Sequence, residues 1–505
     1  MTGPGRGSTG GRGAFALVLH SHLPWLAHHG RWPVGEEWLY QVWAASYLPV
    51  LDVLDDLAAE GRRDLLTLGV TPVLAAQLDD PYCVAAFSTW LGFWQARSEE
   101  LAGDRDPALR RVAAHEFASA SRAQAAHARR GALSTSFRRL ADAGAIELLG
   151  GPATHAFSPL YPDDVVAAGL RVGRDDARLR YGGPRAGIWA PECGYRPGLE
   201  RVYADEGVSH FVVDGPTFLR VGAETWAGRS VGESDVVAFA RDLEVSYRVW
   251  SPRKGYPSDP RYRDFHTFHH GTGFRPARVT STSTPPELKA PYEPAATAAV
   301  VRRDANDFVS VVVERLDDIT VRRGAPGLVV AGFDTELFGH WWHEGPAWLA
   351  EVLRLLPAAG VEVTTLAAAR ESGYVDGPVE LQAGSWGSGK DWRVWAGAKV
   401  ADVVADNDRL VRRWRSLQLP RAAARDALAD QIAREALLAL SSDWAFMITK
   451  DSAAEYARAR HDQHHRRFDE LLRAHTGGPF EGAPTLSEAR ARDGLFGHLD
   501  ARTLW

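Results

Sequence analysis

Residues 14–24 read Ala14-Phe-Ala-Leu-Val-Leu19-His20-Ser-His22-Leu-Pro24, an apolar run with no alternation that stops abruptly in two histidines. A strand that is hydrophobic at every position has both faces covered, which is the habit of parallel strands sheltered by helices. Six more runs share that character: Leu65–Val70, Ile146–Leu149, Ala186–Trp189, Phe211–Val213, Val236–Phe239 and Leu328–Phe333. Between them lie stretches of helical period. Glu36–Leu57 carries Trp38, Val42, Leu51 and Leu54 on one stripe, although Pro49 must kink or divide it. Strands alternating with helices predict βαβ units in an α/β fold.

Two segments depart from this rhythm. Residues from about 90 to 145 are rich in Ala, Arg and Glu without a strand signal, and read as a helical insertion after the second strand. From about Lys399 onward the apolar residues Val400, Val403, Val404, Leu410, Val411, Trp414 and Leu417 recur at three- and four-residue spacing, and Ala427–Leu440 and Ser452–Leu472 repeat the pattern. The expected division is a flexible, Gly-rich tail over residues 1–13, an α/β unit over 14–395 and an all-helical domain over 396–505. The stretch Ser251–Pro294 is rich in Pro, Gly, Ser and Thr with little periodicity, and a long irregular segment inside a domain is commonly a functional loop. A mobile loop is expected over about 250–270.

Composition narrows the function classes. The chain has 505 residues, about three domain-sized units at ~150 residues each. It is 45% hydrophobic, ample for a large core. Lys and Arg number 58 against 64 Asp and Glu, a net charge of −6, which argues against a nucleic-acid partner. Cys83 and Cys193 alone exclude a disulfide framework and a four-cysteine zinc site. No run is long enough for a signal core or a membrane span, so a cytoplasmic protein with no membrane partner is expected.

Chemistry clusters at the strand ends. The first strand runs into His20 and His22, the third into Gly151-Pro-Ala-Thr154-His155, the fourth into Trp189-Ala-Pro191-Glu192-Cys193, the fifth into Asp214 and the last into Asp334-Thr-Glu336. In a parallel barrel these ends form one rim, where active sites are built. A lone strand-end Asp is often a helix cap, but five ends supplying His, Asp or Glu are hard to ascribe to packing. Two carboxylates on such a rim suit nucleophile and general acid on a glycosidic bond. Pro191 stiffens the approach to Glu192, and Phe333, Leu337 and Phe338 surround Asp334 with apolar groups that raise a carboxyl pKa. Dense tryptophan beside them fits sugar rings, whose flat C–H faces stack on aromatic planes; the competing reading of each is core burial.

Other readings remain in play. His20-x-His22 has the spacing of metal ligands, as do His266/His270 and His461/His465 at i, i+4, without the Glu of an H-E-x-x-H motif. Asp79-Asp80 with a His-x-x-x-His pair suits a metal-dependent sugar deacetylase. A silent glucan-binding protein is a third possibility. Gly384-Ser-Trp-Gly-Ser-Gly389-Lys390 approaches a phosphate-binding loop, but Asp391 stands where Ser or Thr would hold Mg²⁺, so nucleotide binding is rejected.

Taken in order, five motifs resemble glycoside hydrolase family 57, and within it the 1,4-α-glucan branching enzymes. They are His20-Ser-His22-Leu-Pro24; Gly151-Pro-Ala-Thr-His155; Trp189-Ala-Pro-Glu192-Cys-Gly-Tyr195; Phe333-Asp334-Thr-Glu-Leu-Phe-Gly-His340-Trp341-Trp342; and Ser385-Trp386-Gly with Trp395. Cys193 directly after Glu192, the His340-Trp-Trp ending and Ser441-Ser-Asp443-Trp444 are branching-type details. The resemblance implies a distorted (β/α)7 TIM-like barrel with the helical insertion and a C-terminal helical domain closing one side of the cleft. It implies Glu192 as nucleophile and Asp334 as general acid/base of a retaining transfer, with no metal or other cofactor. His20, His22, His155, His340 and Asp443 become partners of the sugar, as do Trp189, Asp214 and Trp341; Trp386 and Trp395 become stacking platforms; and Tyr256 sits on a loop that excludes water. An α-1,4-glucan is then both donor and acceptor, with a 4-α-glucanotransferase or α-amylase as the alternatives inside the family. One departure stands out: relatives often carry an aromatic close before an Arg-Val/Ile-Thr segment, whereas here Pro276-Ala277 precede Arg278-Val279-Thr280 and the nearest aromatic is Phe274.

Overall fold

The computed structural model describes residues 11–505 except 33, 184, 252–253, 418, 420–423 and 478–482. Most of the tail expected over 1–13 thus lies outside the described residues, and Gly13 already opens the first strand. Ten strands follow in chain order: β1 (Gly13–Ser21), β2 (Leu66–Val70), β3 (Ile146–Leu149), β4 (Gly187–Ile188), β5 (His210–Val213), β6 (Gly228–Val231), β7 (Val237–Ala240), β8 (Gly327–Asp334), β9 (Glu362–Thr364) and β10 (Val375–Val379). They pair as β3-β2-β1-β8, with β9 added to β1, and as β10-β6-β7-β5-β4.

Two narrow seams join these sheets. A parallel bridge between Gly150 and Ile188 links the end of β3 to β4. The Asp242 N–H donates to the Val330 carbonyl at 2.7 Å, tying the end of β7 to β8. The order β1-β2-β3-β4-β5-β7-β8 is therefore a closed ring of seven strands, all parallel where they pair. These are the seven apolar runs of the sequence. The ring is distorted because β4 spans two residues and each seam is narrow. All nine residues of β1 are buried, as the unbroken hydrophobicity requires. Chirality and burial place helices around such a ring and its polar ends on one rim.

Three elements outside the ring shape that rim. Helices Pro81–Ala102 and Pro107–Arg130 form the insertion, each opened by an Asp (Asp80, Asp106) that accepts from the first-turn N–H groups. Asp79 pairs with Arg180. With Asp80 spent as a cap and Asp79 as an ion pair, neither is free for deacetylase chemistry. The C-terminal helices Ala401–Ser416, Ala427–Ala439, Ser442–Lys450 and Ala454–Gly477 pack onto the barrel, and Leu410, Trp414, Ile432 and Phe468 join its apolar core. His461 and His465, spaced like metal ligands, both bond the Asn407 side-chain oxygen at 3.0 Å and fasten two of those helices together. Among the described residues no helix is long and apolar enough to cross a membrane.

The third element is the helix over Glu36–Ala59, divided as expected near Pro49. Trp43–Tyr47 widens into a π-turn between Glu36–Val42 and Leu48–Ala59. Pro49 has no N–H for the Ala45 carbonyl, so the helix loosens just before it. That carbonyl meets Gly339, whose φ of +107° and lack of a side chain allow close approach; a Cβ there would lie 1.8 Å from Ala45 O. The Ser46 hydroxyl donates to Thr335 O at 2.7 Å, completing the dock between this helix and the segment after Asp334. Gly339→Ala is expected to cost about 2 kcal/mol or more, since it adds both a positive-φ strain and a backbone clash. Thermal or denaturant unfolding checks this, and wild-type stability would contradict the close approach.

Candidate active site

β1 and β8 pair in register with His20 opposite Asp334. The loop after β3 turns back at His155 (φ +60°), and the turn after β4 places Glu192 and Cys193 at φ +61° and +50°. Left-handed backbone at non-glycine residues costs of order 1–3 kcal/mol and persists only when the surroundings hold it. Here the holding groups are identifiable. The Trp386 indole N–H donates to Glu192 Oε2 at 2.7 Å, the Ser442 hydroxyl donates to Oε1 at 2.8 Å, and the Trp386 backbone N–H donates to Glu192 O at 2.9 Å.

The histidines extend this network in one direction. Burial, reinforced by neighbouring histidines, holds His20 and His155 well below the usual imidazole range, so both are neutral. Ser442 gives its proton to Glu192, so it accepts from His155 Nδ1 at 2.9 Å. That leaves His155 Nε2 as an acceptor for His20 Nε2–H at 3.0 Å. One tautomer of each ring satisfies every bond, and the chain ends on a carboxylate oxygen. His22 stacks on His155 with centroids 3.8 Å apart, and its Nδ1 and Nε2 bond Thr71 Oγ1 (3.0 Å) and Asp443 Oδ2 (2.9 Å). Burial alone would raise the Asp443 carboxyl, but His22 and His155 and the hydroxyl of Ser441 hold it below the usual range. His22, His155 and Asp443 stand close enough together to surround an ion. In this structure their facing polar atoms bond one another, Thr71, His20, Ser441 and Ser442.

Three acids share the site, Glu192 and Glu336 buried and Asp334 half-buried. Burial pushes the Glu192 carboxyl up to about 7, opposed by the bonds from Trp386 and Ser442. Burial and then the charge of Glu192 raise Asp334 to about 7, opposed by Arg241 and His22. Glu336 rises to about 8 through burial and the charge of Asp334, and its Oε1 accepts from the Tyr47 hydroxyl and the His22 N–H. Asp334 has no hydrogen-bond partner among the described residues. Mutual electrostatic influence of this kind requires the acids to lie near one another in a low-dielectric pocket.

Several expected sugar contacts sit elsewhere. Trp189 is 1% exposed, stacked on His20 at 4.6 Å, with Trp386 against it edge-on at 5.1 Å. Trp395, also 1% exposed, lies flat on Phe157 at 4.5 Å. Neither offers a free face, so of the expected platforms only half-buried Trp386 can stack a sugar. Asp214 is fully buried and holds Arg241 and Lys390 at 2.7 Å each. Arg241 in turn lies 5.2 Å from the centre of the Trp386 ring, so Asp214 supports the platform rather than the sugar. Tyr256 is buried near Trp342 and Trp348, its hydroxyl donating to Asp307 at 2.5 Å, which makes it an anchor of its loop in this conformation. His340 and Trp341 line a neighbouring cavity. Sequence reasoning missed Thr71, Arg241, Lys390 and Ser442. Thr71 and Arg241 do follow strand ends, but a search for His, Asp and Glu passes over them; Ser442 carries no local signal beyond its place beside Asp443.

Comparison with known proteins gives the family. A family model described as "Glycosyl hydrolase family 57" matches residues 16–252, and one described as "1,4-alpha-glucan branching enzyme, C-terminal" matches 405–504. A protein of Mycobacterium tuberculosis named "Probable 1,4-alpha-glucan branching enzyme" is 53% identical over 97% of this chain and 98% of its own length. The crystal structure of a GH57-type branching enzyme from Pyrococcus horikoshii superposes with a TM-score of 0.91 at 32% identity, covering 97% of this chain and 96% of that one. An α-amylase from Thermotoga maritima, AmyC, superposes at 0.86 with 26% identity over 98% and 99%. This chain belongs to glycoside hydrolase family 57, in its branching-enzyme group.

Proposed function

We propose that the protein is a retaining 1,4-α-glucan branching enzyme in which Glu192 is the nucleophile and Asp334 the general acid/base. The observation that carries this assignment is the unequal treatment of two neighbouring acids, one buried and one half-buried. Glu192 receives two side-chain hydrogen bonds that stabilise its anion, whereas Asp334 receives none and feels the charge of Glu192. The first proton lost from the pair is therefore lost from Glu192. An ionised Glu192 attacks the anomeric carbon as Asp334 protonates the departing 4-oxygen, leaving the chain esterified to Glu192. Asp334, now ionised, takes the proton from a 6-hydroxyl of another glucan, which displaces Glu192 and forms an α-1,6 branch with net retention.

The substrate on this reading is an amylose- or glycogen-like α-1,4-glucan serving as donor and acceptor. A cytoplasmic setting fits the two free, buried cysteines. The likeness to an α-amylase gives the second reading weight, because the same acids hydrolyse when water reaches the intermediate first.

Incubation with amylose followed by enzymatic debranching separates the two. New α-1,6 linkages are expected; reducing ends alone would favour the amylase. Glu192→Gln is expected to lower transfer and hydrolysis together, on the order of 10⁴-fold, and residual activity above a few per cent would remove Glu192 from the nucleophile role. Trp386→Phe removes a donor to the Glu192 carboxylate. Losing an anion-stabilising bond of ~1.5 kcal/mol raises that carboxyl by about one pH unit. The acid limb of the kcat/KM profile should then move to higher pH by that amount, with the alkaline limb, set by Asp334, moving less.

A further inference from the structure

With no hydrogen-bond partner of its own among the described residues, the Asp334 carboxyl is aimed by the backbone that carries it. That backbone leaves β8 and makes a single 3₁₀ turn, Thr335–Leu337. Side chains from two other elements hold the turn. At the end of β1 the Ser21 hydroxyl lies 2.7 Å from that of Thr335. From the π-turn the Ser46 hydroxyl donates to Thr335 O, and the neighbouring Tyr47 hydroxyl donates to Glu336 Oε1 at 2.5 Å. The same Oε1 accepts from the His22 backbone N–H at 3.2 Å. A single oxygen of Glu336 thus joins the turn to both elements.

The surroundings of Glu336 favour its uncharged form. It is 3% exposed, and among the described residues no cation pairs with it. The titratable groups that face it are Asp334 and Tyr47. Burial holds the Tyr47 phenol well above its usual range, so its hydroxyl keeps its proton and stays a donor. A buried carboxylate without a cation, beside a second acid, is disfavoured against its neutral form. The neutral acid still offers Oε1 as an acceptor with two lone pairs, enough for both donors. It also places no negative charge beside Asp334, which on the proposed mechanism must become a carboxylate before the acceptor hydroxyl is deprotonated.

We propose that Glu336 is a positioning residue for the general acid/base: it clamps the turn after β8 to β1 and to Tyr47, and so fixes where Asp334 points its carboxyl. The proposal rests on the assignment of Asp334 above and adds the group that aims it. Misplacing a catalytic group by about 1 Å costs on the order of 100-fold in rate. Tyr47 is the partner through which the π-turn enters the reaction, in keeping with the frequency of such turns at functional sites. The clamp needs an acceptor oxygen on Glu336 and no proton transfer from it, which distinguishes it from a third catalytic carboxyl.

Two substrates read the clamp. The departing 4-oxygen of amylose needs a proton, whereas fluoride leaves α-maltosyl fluoride without help from an acid. In the full-length enzyme Glu336→Ala is expected to lower kcat/KM on amylose about 100-fold. Its kcat/KM for fluoride release, which reports the first displacement alone, should stay within about threefold of wild type. Glu336→Gln keeps an uncharged acceptor and is expected to recover the amylose reaction to within about threefold. Should Glu336→Ala fail to fold, Tyr47→Phe removes one donor and keeps the ring; it should lower the amylose reaction about tenfold and spare fluoride release. Wild-type activity on amylose in Glu336→Ala, equal losses on the two substrates, or a loss in Glu336→Gln as deep as in Glu336→Ala would each overturn the positioning role and leave the acid/base assignment intact. Asp334→Ala tests that assignment separately. It should spare fluoride release and abolish action on amylose, and equal losses there would overturn the reading on which the clamp rests.

Discussion

The structure turns on keeping one buried carboxylate ionised. Taking a carboxylate out of water costs several kcal/mol unless hydrogen bonds replace its hydration. Glu192 finds those bonds in Trp386 and Ser442, both supplied by segments far downstream of the strand that carries it. The C-terminal helices, which carry Ser442, are therefore part of the site. They are also fixed to the barrel by buried polar contacts. His29, in the loop after β1, bonds Asp493 at 2.7 Å; the Trp25 indole donates to Arg492 O at 2.9 Å; and Arg460 donates to Trp25 O at 2.8 Å. Asp493 is in turn held by Arg467, and Glu435 meets His464 at 2.8 Å. Breaking one member of such a network strands its partners, which gives the interface a fixed geometry. The loop leaving β1 thus carries His20 and His22 into the site and anchors the domain that supplies Ser442.

How much of this could be read from the sequence follows from how each feature is encoded. The seven ring strands were legible because burial on both faces writes itself as unbroken hydrophobicity. β6, β9 and β10 were not: β9 has an exposed and a half-exposed residue, and β10 includes Gly377 and Pro378. The rim chemistry was legible because His20, His155, Glu192 and Asp334 each follow a strand end. Orientation was not. Trp189 and Trp395 share the composition of a stacking platform, yet each lies flat on another ring in the interior. Tyr256, expected on a water-excluding loop, is buried and tied to Asp307. Pairs such as His461/His465 show the limit most plainly, since helical spacing brings two imidazoles together whether the shared partner is a metal or, as here, the amide of Asn407.

The raised carboxyls form a ladder rather than three separate anomalies. Glu192 has donors and ionises first; its charge raises Asp334; and the charge of Asp334 raises Glu336. That order gives, once the first proton is lost, a charged Glu192 beside a protonated Asp334, the combination that the proposed first displacement needs. In the proposed mechanism, formation of the glycosyl ester then neutralises Glu192. With that charge gone, the second-largest cause of Asp334's high affinity for its proton disappears, while Arg241 and His22 still favour its anion. Asp334, having just given up its proton, is held as the carboxylate that the acceptor hydroxyl must meet. On the proposed mechanism, the same electrostatic coupling that suits Asp334 to act as an acid in one half of the reaction suits it to act as a base in the other.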